Sequence, residues 1–198
     1  MNHIFLIIIL ILSAVFHEYM HGYVAYKLGD PTAKNAGRLT FNPIKHLDPF
    51  GSVILPLMMV LFNSSFLFAW AKPVPYNPYN LRDRKYGDAK VAAAGPLANL
   101  ALAIVFGLII RLTSFGLVFE SLLSLVVYIN LFLMVFNLIP IPPLDGSKIV
   151  SAFLSPEKKL KYLSLERYGL LMVIPFVILF GDVIIKPINF LFNIIVGF

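Results

Sequence analysis

Residues 4 to 22, "IFLIIILILSAVFHEYMHG", run uncharged from Ile4 to Phe16 and then bring in two histidines and a glutamate. The apolar segment continues to about residue 28, longer than the roughly 20 residues a helix needs to cross a bilayer. Ionisable side chains inside such a segment are costly, face a protein interior or a watery cavity, and mark function by default. On a helix, residues four apart share a face, so His17 and His21 can offer imidazole nitrogens to one ion while Glu18 lies beside it without ligating it. This is the H-E-x-x-H spacing of zinc hydrolases. The competing reading is a polar patch packed between helices, and a third ligand decides between the two.

The rest of the chain agrees with a membrane setting. Among its 198 residues 59% are hydrophobic and 13% charged, with a mean hydropathy of +0.85. These values exclude a water-soluble domain and fit a polytopic membrane protein. No cysteine is present, which excludes disulfides, thiolate nucleophiles and Cys-ligated zinc, so a metal must be held by His, Asp or Glu. The net charge of +6 is compatible with nucleic acid, but the basic residues sit between long apolar runs, where membrane topology explains them and no nucleic-acid partner is expected. The first apolar run is too long for a signal peptide and lacks a small-residue cleavage site, so it is expected to stay in the mature protein.

Apolar segments fall at about 4 to 28, 50 to 69, 89 to 113, 115 to 142, 168 to 181 and 183 to 198. Residues 29 to 49 carry Gly, Pro and Asn around a short β-prone piece, Gly37 to Phe41, and read as a hairpin or extended loop. Residues 71 to 88 are Pro-rich and basic and read as an exposed irregular loop. If segment 50 to 69 dips into the membrane and returns, fourteen of the sixteen Lys and Arg share the cytoplasmic side and only Arg111 and Lys186 lie outside. Pro56 and Asn63-Ser64-Ser65 would make the turn of that re-entrant pair. A crossing segment is the rival and splits the basic loops between the two sides. The preferred topology puts the N-terminus outside and the HEYMH end of the first helix toward the cytoplasm. The fold expected is an all-α polytopic helical bundle of about 4 to 6 membrane segments, with a short β-hairpin/re-entrant insertion after the first helix and a single domain over 1 to 198.

Few residues can supply a third ligand. Most acidic residues outside the motif lie in loops, but Asp145 follows the fourth apolar run in "NLIPIPPLDG", residues 137 to 146. There Pro140, Pro142 and Pro143 stop helical hydrogen bonding, and Gly146 permits an unusual backbone angle. With 50 to 69 re-entrant, the first and fourth segments run parallel and bring HEYMH and Asp145 to the same end. The alternative for Asp145 is a turn role in a Pro-Gly loop. Asp48, before Pro49, reads as an N-cap with proline at the first helical position. A lone loop histidine such as His46 is more often neither a ligand nor a ligand's partner.

Taken together, HEYMH at 17 to 21, "GRLTFNPIKHLDPFG" at 37 to 51, "WAKPVPYNP" at 70 to 78, "AAGPLAN" at 93 to 99 and "NLIPIPPLDG" resemble the site-2 protease family of intramembrane zinc metalloproteases, over most of the chain and in order. The likeness is to short prokaryotic members without a PDZ insertion or CBS domain, for which a bacterial or archaeal cell membrane, crossed several times, is the expected location. It implies one zinc per chain held by His17, His21 and Asp145, with a fourth position open for water. It implies Glu18 as general base and then acid. Asn137 matches the family asparagine before the LDG motif and is expected to donate to the oxyanion or to hold the substrate, with a helix-helix hydrogen bond as the alternative. Asn99 has the same two options, and Gly95 and Pro96 are expected to bring helices close.

The expected function is an intramembrane zinc endopeptidase that cuts membrane-spanning proteins or remnant signal peptides near the cytoplasmic face, with the bilayer as its surroundings. The edge of Gly37 to Phe41 is the expected docking strand for an unwound substrate. The alternatives are a membrane metal-binding or transport protein and a catalytically silent scaffold. Residues 155 to 169, "SPEKKLKYLSLERYG", read as an interfacial segment against anionic lipid.

Overall fold

A computed structural model describes residues 3–62, 71–113 and 116–197. The first apolar run forms α1 (His3–Lys27). It ends where the sequence places Gly-Asp-Pro: Gly29 takes φ +108°, the Gly29 N–H donates to the Tyr26 carbonyl and the Asp30 N–H to the Ala25 carbonyl. These two bonds are the glycine stop that satisfies the last carbonyls of a helix. Three further long apolar helices follow, α4 (Gly87–Leu112), α5 (Leu117–Asn137) and α8 (Gly169–Val196). With α1 they are the four helices long and apolar enough to cross a membrane among the described residues.

The two C-terminal apolar segments form one helix, bent where Phe180 leaves helical geometry (φ −122°, ψ 26°), next to Gly181-Asp182. Helix α5 stops at Asn137, because Pro140, Pro142 and Pro143 cannot continue its hydrogen-bond ladder. Four short helices are also described: α2 (Thr32–Asn35), α3 (Leu55–Leu61), α6 (Asp145–Ser151) and α7 (Pro156–Leu163), the last leading through a 3-10 turn into α8.

The core lies between α4, α5 and α8, around Ala103, Leu123, Val127, Leu131, Ile184 and Ile188. Gly107 allows α8 to approach, since a Cβ there would stand 2.1 Å from the Ile195 side chain. Helix α1 packs on α4. Outward faces carry large apolar side chains such as Leu117, Leu171, Ile178 and Phe190, as a bilayer requires.

The expected β-hairpin is not formed: the described residues contain no sheet, and Gly37 to Phe41 has turn and irregular backbone. Pro31, Pro43 and Pro49 break the stretch into short turns, and Asn42 caps the 3-10 turn Pro43–His46 by accepting from the Ile44 N–H at 3.1 Å. Among the described residues no neighbouring strand supplies a ladder for residues 37 to 41, and β propensity without a pairing partner does not make a strand. The β contact that does form is an isolated antiparallel bridge between Leu47 and Ala71, backed by the Lys72 N–H donating to the His46 carbonyl at 2.8 Å. It holds the two ends of residues 48 to 70 side by side. Asp48 caps the helical turns that begin at Pro49, accepting from the N–H groups of Phe50 and Gly51. Helical backbone over 49–61 rises at most about 20 Å, less than the roughly 30 Å of a bilayer's hydrocarbon core. The expected turn at Asn63-Ser64-Ser65 lies outside the described residues.

Candidate metal centre

On α1 the helical spacing brings His17 and His21 to one face, with their Nε2 atoms 2.9 Å apart. The loop after α5 delivers Asp145 as the first residue of α6. Its Oδ2 stands 3.1 Å from Nε2 of His17 and 3.2 Å from Nε2 of His21. Gly146 serves space rather than backbone angle: a Cβ would meet the Leu138 carbonyl oxygen at 2.2 Å, so only glycine lets α6 start this close to the end of α5. On α4, Gly95 does the same for the histidines, since a Cβ there would sit 2.5 Å from Nε2 of both.

The protons on these rings follow from a chain of hydrogen bonds. The Asn130 Nδ2 donates to the Val126 carbonyl at 2.9 Å and to the Ser13 hydroxyl oxygen at 3.0 Å. A backbone carbonyl only accepts, which orients the Asn130 amide and leaves its Oδ1 to accept from Asn99 Nδ2 at 2.8 Å. The Asn99 Oδ1 is thereby the acceptor for His17 Nδ1–H at 2.7 Å. His21 Nδ1–H donates to the Val91 carbonyl, also at 2.7 Å. In the neutral tautomers that these bonds favour, both Nε2 atoms carry lone pairs, and both face a carboxylate oxygen.

Three electron-pair donors within 3.2 Å of one another repel unless a positive charge sits among them. Donors about 2.0–2.1 Å from a tetrahedral zinc lie about 3.3 Å from each other, close to the spacing found here. Each histidine also has the outer hydrogen bond that typically accompanies metal ligation. The donor set fits zinc.

Glu18 stands further out, with a carboxylate oxygen within 4.8 Å of the histidine nitrogens. Its Oε2 accepts the backbone N–H of Val74 at 2.7 Å, which leaves Asp145 as the carboxylate at ligand spacing. Asn137 is not hydrogen-bonded to this cluster; its Nδ2 donates to the Leu133 carbonyl of its own helix at 2.9 Å. His46 is buried and bonded through Nε2 to the Thr40 carbonyl, outside the centre. Sequence reasoning left Asn99 undecided and missed Asn130, Ser13 and Val74. Asn130 and Ser13 are polar residues in apolar spans, a signal that could have found them; Val74 acts through its backbone and leaves no such trace.

The model of Peptidase family M50 matches residues 112–181, which include Asp145 but not the histidine pair. YwhC of Bacillus subtilis is 37% identical over 193 residues, 92% of this chain and 84% of its own. MJ0611 of Methanocaldococcus jannaschii is 32% identical over 69% of this chain and 63% of its own. Rip2 of Mycolicibacterium smegmatis is 29% identical over 83% of this chain and 62% of its own. All three carry zinc metalloprotease names. The chain spans less than two thirds of the latter two. No solved structure matches it. Four apolar spans and a largely buried His-His-Asp cluster define a multi-pass membrane protein of the metallopeptidase class. The chain belongs to peptidase family M50, the site-2 protease family.

Proposed function

We propose that this protein is a zinc endopeptidase of a prokaryotic cell membrane that hydrolyses peptide bonds of single-span proteins or remnant signal peptides close to the cytoplasmic face. The observation that carries the reading is the convergence of two imidazole lone pairs and one carboxylate oxygen within 3.2 Å, each imidazole held from behind. His17, His21 and Asp145 would hold one zinc per chain. When bound, zinc supplies Lewis acidity toward water and a peptide carbonyl.

The chain's own groups do the remaining work. Glu18 accepts a proton from the attacking water and returns it to the leaving amine. Its Oε2 is engaged by Val74, which leaves Oε1 for that proton. Asn137 keeps a second amide hydrogen beyond its bond to Leu133 and offers it to a substrate carbonyl or to the oxyanion. The Leu47–Ala71 bridge and the basic flanks on both sides of it support a re-entrant 50 to 69 entered from the cytoplasmic side.

The test is zinc content and cleavage in three purified chains. Wild type should carry about one zinc, Asp145→Asn should lose it, and Glu18→Gln should keep it while cleavage of a reconstituted single-span substrate disappears. Cleavage that survives Glu18→Gln, or zinc indifferent to Asp145, would sink this reading; a transporter or scaffold predicts no cleavage by any of the three chains.

A further inference from the structure

The loop between the bridge and α4 contains "AKPVPYNP", residues 71 to 78, and its backbone makes no helical turn before Pro78, for a reason visible in the sequence. Lys72, Val74 and Asn77 each precede a proline, which disfavours helical geometry at all three. Asn77 has φ −113° and ψ 108°. Pro73 and Pro75 have no N–H, so Val74 carries the one backbone donor between residues 73 and 75. That donor meets Glu18 Oε2 at 2.7 Å.

Both ends of this strap are clamped. On one side the Lys72 N–H donates to the His46 carbonyl, and the buried Arg38 donates through Nη2 to the carbonyls of Lys72 at 2.9 Å and Pro73 at 3.4 Å. On the other side the buried carboxylate of Asp30 accepts from the Asn77 N–H at 2.7 Å and from Asn80 Nδ2 at 2.8 Å, and the Tyr76 hydroxyl donates to Asp88. The Val74 side chain seats against α1, where a Cβ at Gly22 would lie 2.8 Å from its Cγ1. A segment pinned on both sides of one N–H, aimed at one carboxylate oxygen, is a rigid orienting device.

We infer that the Val74 backbone N–H is the positioning group for Glu18: it holds Oε2 and thereby aims Oε1 at the reacting water. The inference rests on the proposed role of Glu18 as base. A carboxylate with rotational freedom reaches the productive geometry less often, and the loss falls on turnover rather than on binding of substrate or metal. The paired prolines sharpen the device, because they leave no neighbouring N–H to compete for the carboxylate.

Two measurements test it in the full chain in detergent or vesicles. The first needs no substrate: amide hydrogen exchange at Val74. In wild type this amide should be protected, and Glu18→Ala should speed its exchange at least tenfold while leaving the Asn77 amide, held by Asp30, unchanged. Equal exchange at Val74 in both chains overturns the inference.

The second replaces Val74 by its α-hydroxy analogue, which turns the N–H into an ester oxygen and keeps the side chain. With zinc still at one per chain, kcat on a synthetic single-span peptide should fall about 10- to 100-fold at unchanged KM. In a Glu18→Asp background, where the shorter side chain cannot span to the strap, the same ester should cause little further loss. Unchanged kcat, or a joint loss of zinc and turnover, overturns the positioning role. Failure of the parent reading looks different: Glu18→Gln would then leave cleavage intact whatever happens at Val74.

Discussion

His17 on α1 donates its Nδ1–H to Asn99 on α4 at 2.7 Å, and Asn99 is itself oriented by Asn130 on α5. Three helices thus cooperate to present one lone pair. Asn99→Ala should lower zinc affinity roughly 10- to 100-fold, the usual effect of losing an outer partner of a ligand. Asn130→Leu frees the Asn99 amide to rotate and should act in the same direction by a smaller factor. Competition with a chelator of known affinity measures both, and unchanged affinity in Asn99→Ala would refute the relay.

Gly95 leaves the space that the histidine nitrogens face. Gly95→Ala puts a methyl group 2.5 Å from both Nε2 atoms and should abolish zinc binding. Gly181→Ala, where nothing lies within 4 Å of the added atom, should retain it. Metal analysis of the two purified variants decides the matter.

Leu47 and Ala71 face each other across an antiparallel bridge. Opposed residues in such a pair have Cα atoms about 4.5–5.5 Å apart, within the range a disulfide spans. The chain has no cysteine of its own, so a Leu47→Cys, Ala71→Cys double variant should form one internal cross-link on mild oxidation, seen by mass spectrometry of the digested protein. A membrane-impermeant thiol reagent should also label Lys34→Cys and Lys85→Cys from the same side of the bilayer. Labelling from opposite sides would mean that 50 to 69 crosses it.

Asp30 ties the strap to the end of α1. Burial raises its carboxyl, but the hydrogen bonds from Thr32, Asn80 and Asn77 outweigh this and hold it below the usual carboxylate range. A folded-state value below the unfolded one of about 3.9 contributes stability that is complete above that pH and is lost as pH falls through the folded value. The thermal midpoint of wild type should therefore drop below about pH 4. Asp30→Asn should lower stability at neutral pH by about 1.5–3 kcal/mol and flatten part of the acid decline. An unaltered acid profile in the variant would show that this carboxylate does not couple to folding.

Residue chemistry at short range accounts for much of this protein. The long apolar segments, the one-face pairing of His17 with His21 and the Asp48 cap follow from composition, from helical periodicity and from side chains acting within a few residues of themselves. The Pro-rich break that presents Asp145 was legible for the same reason. What the chain order could not reveal is pairing across distance. Whether Gly37 to Phe41 becomes a strand depends on a partner strand, and none is supplied among the described residues. The bridge between Leu47 and Ala71, the relay from Asn130 through Asn99 to His17, and the delivery of the Val74 N–H to Glu18 join segments from different helices and loops. Such contacts form only when packing has already brought the segments together, and a backbone N–H carries no identity in the sequence, so tertiary structure alone decided them.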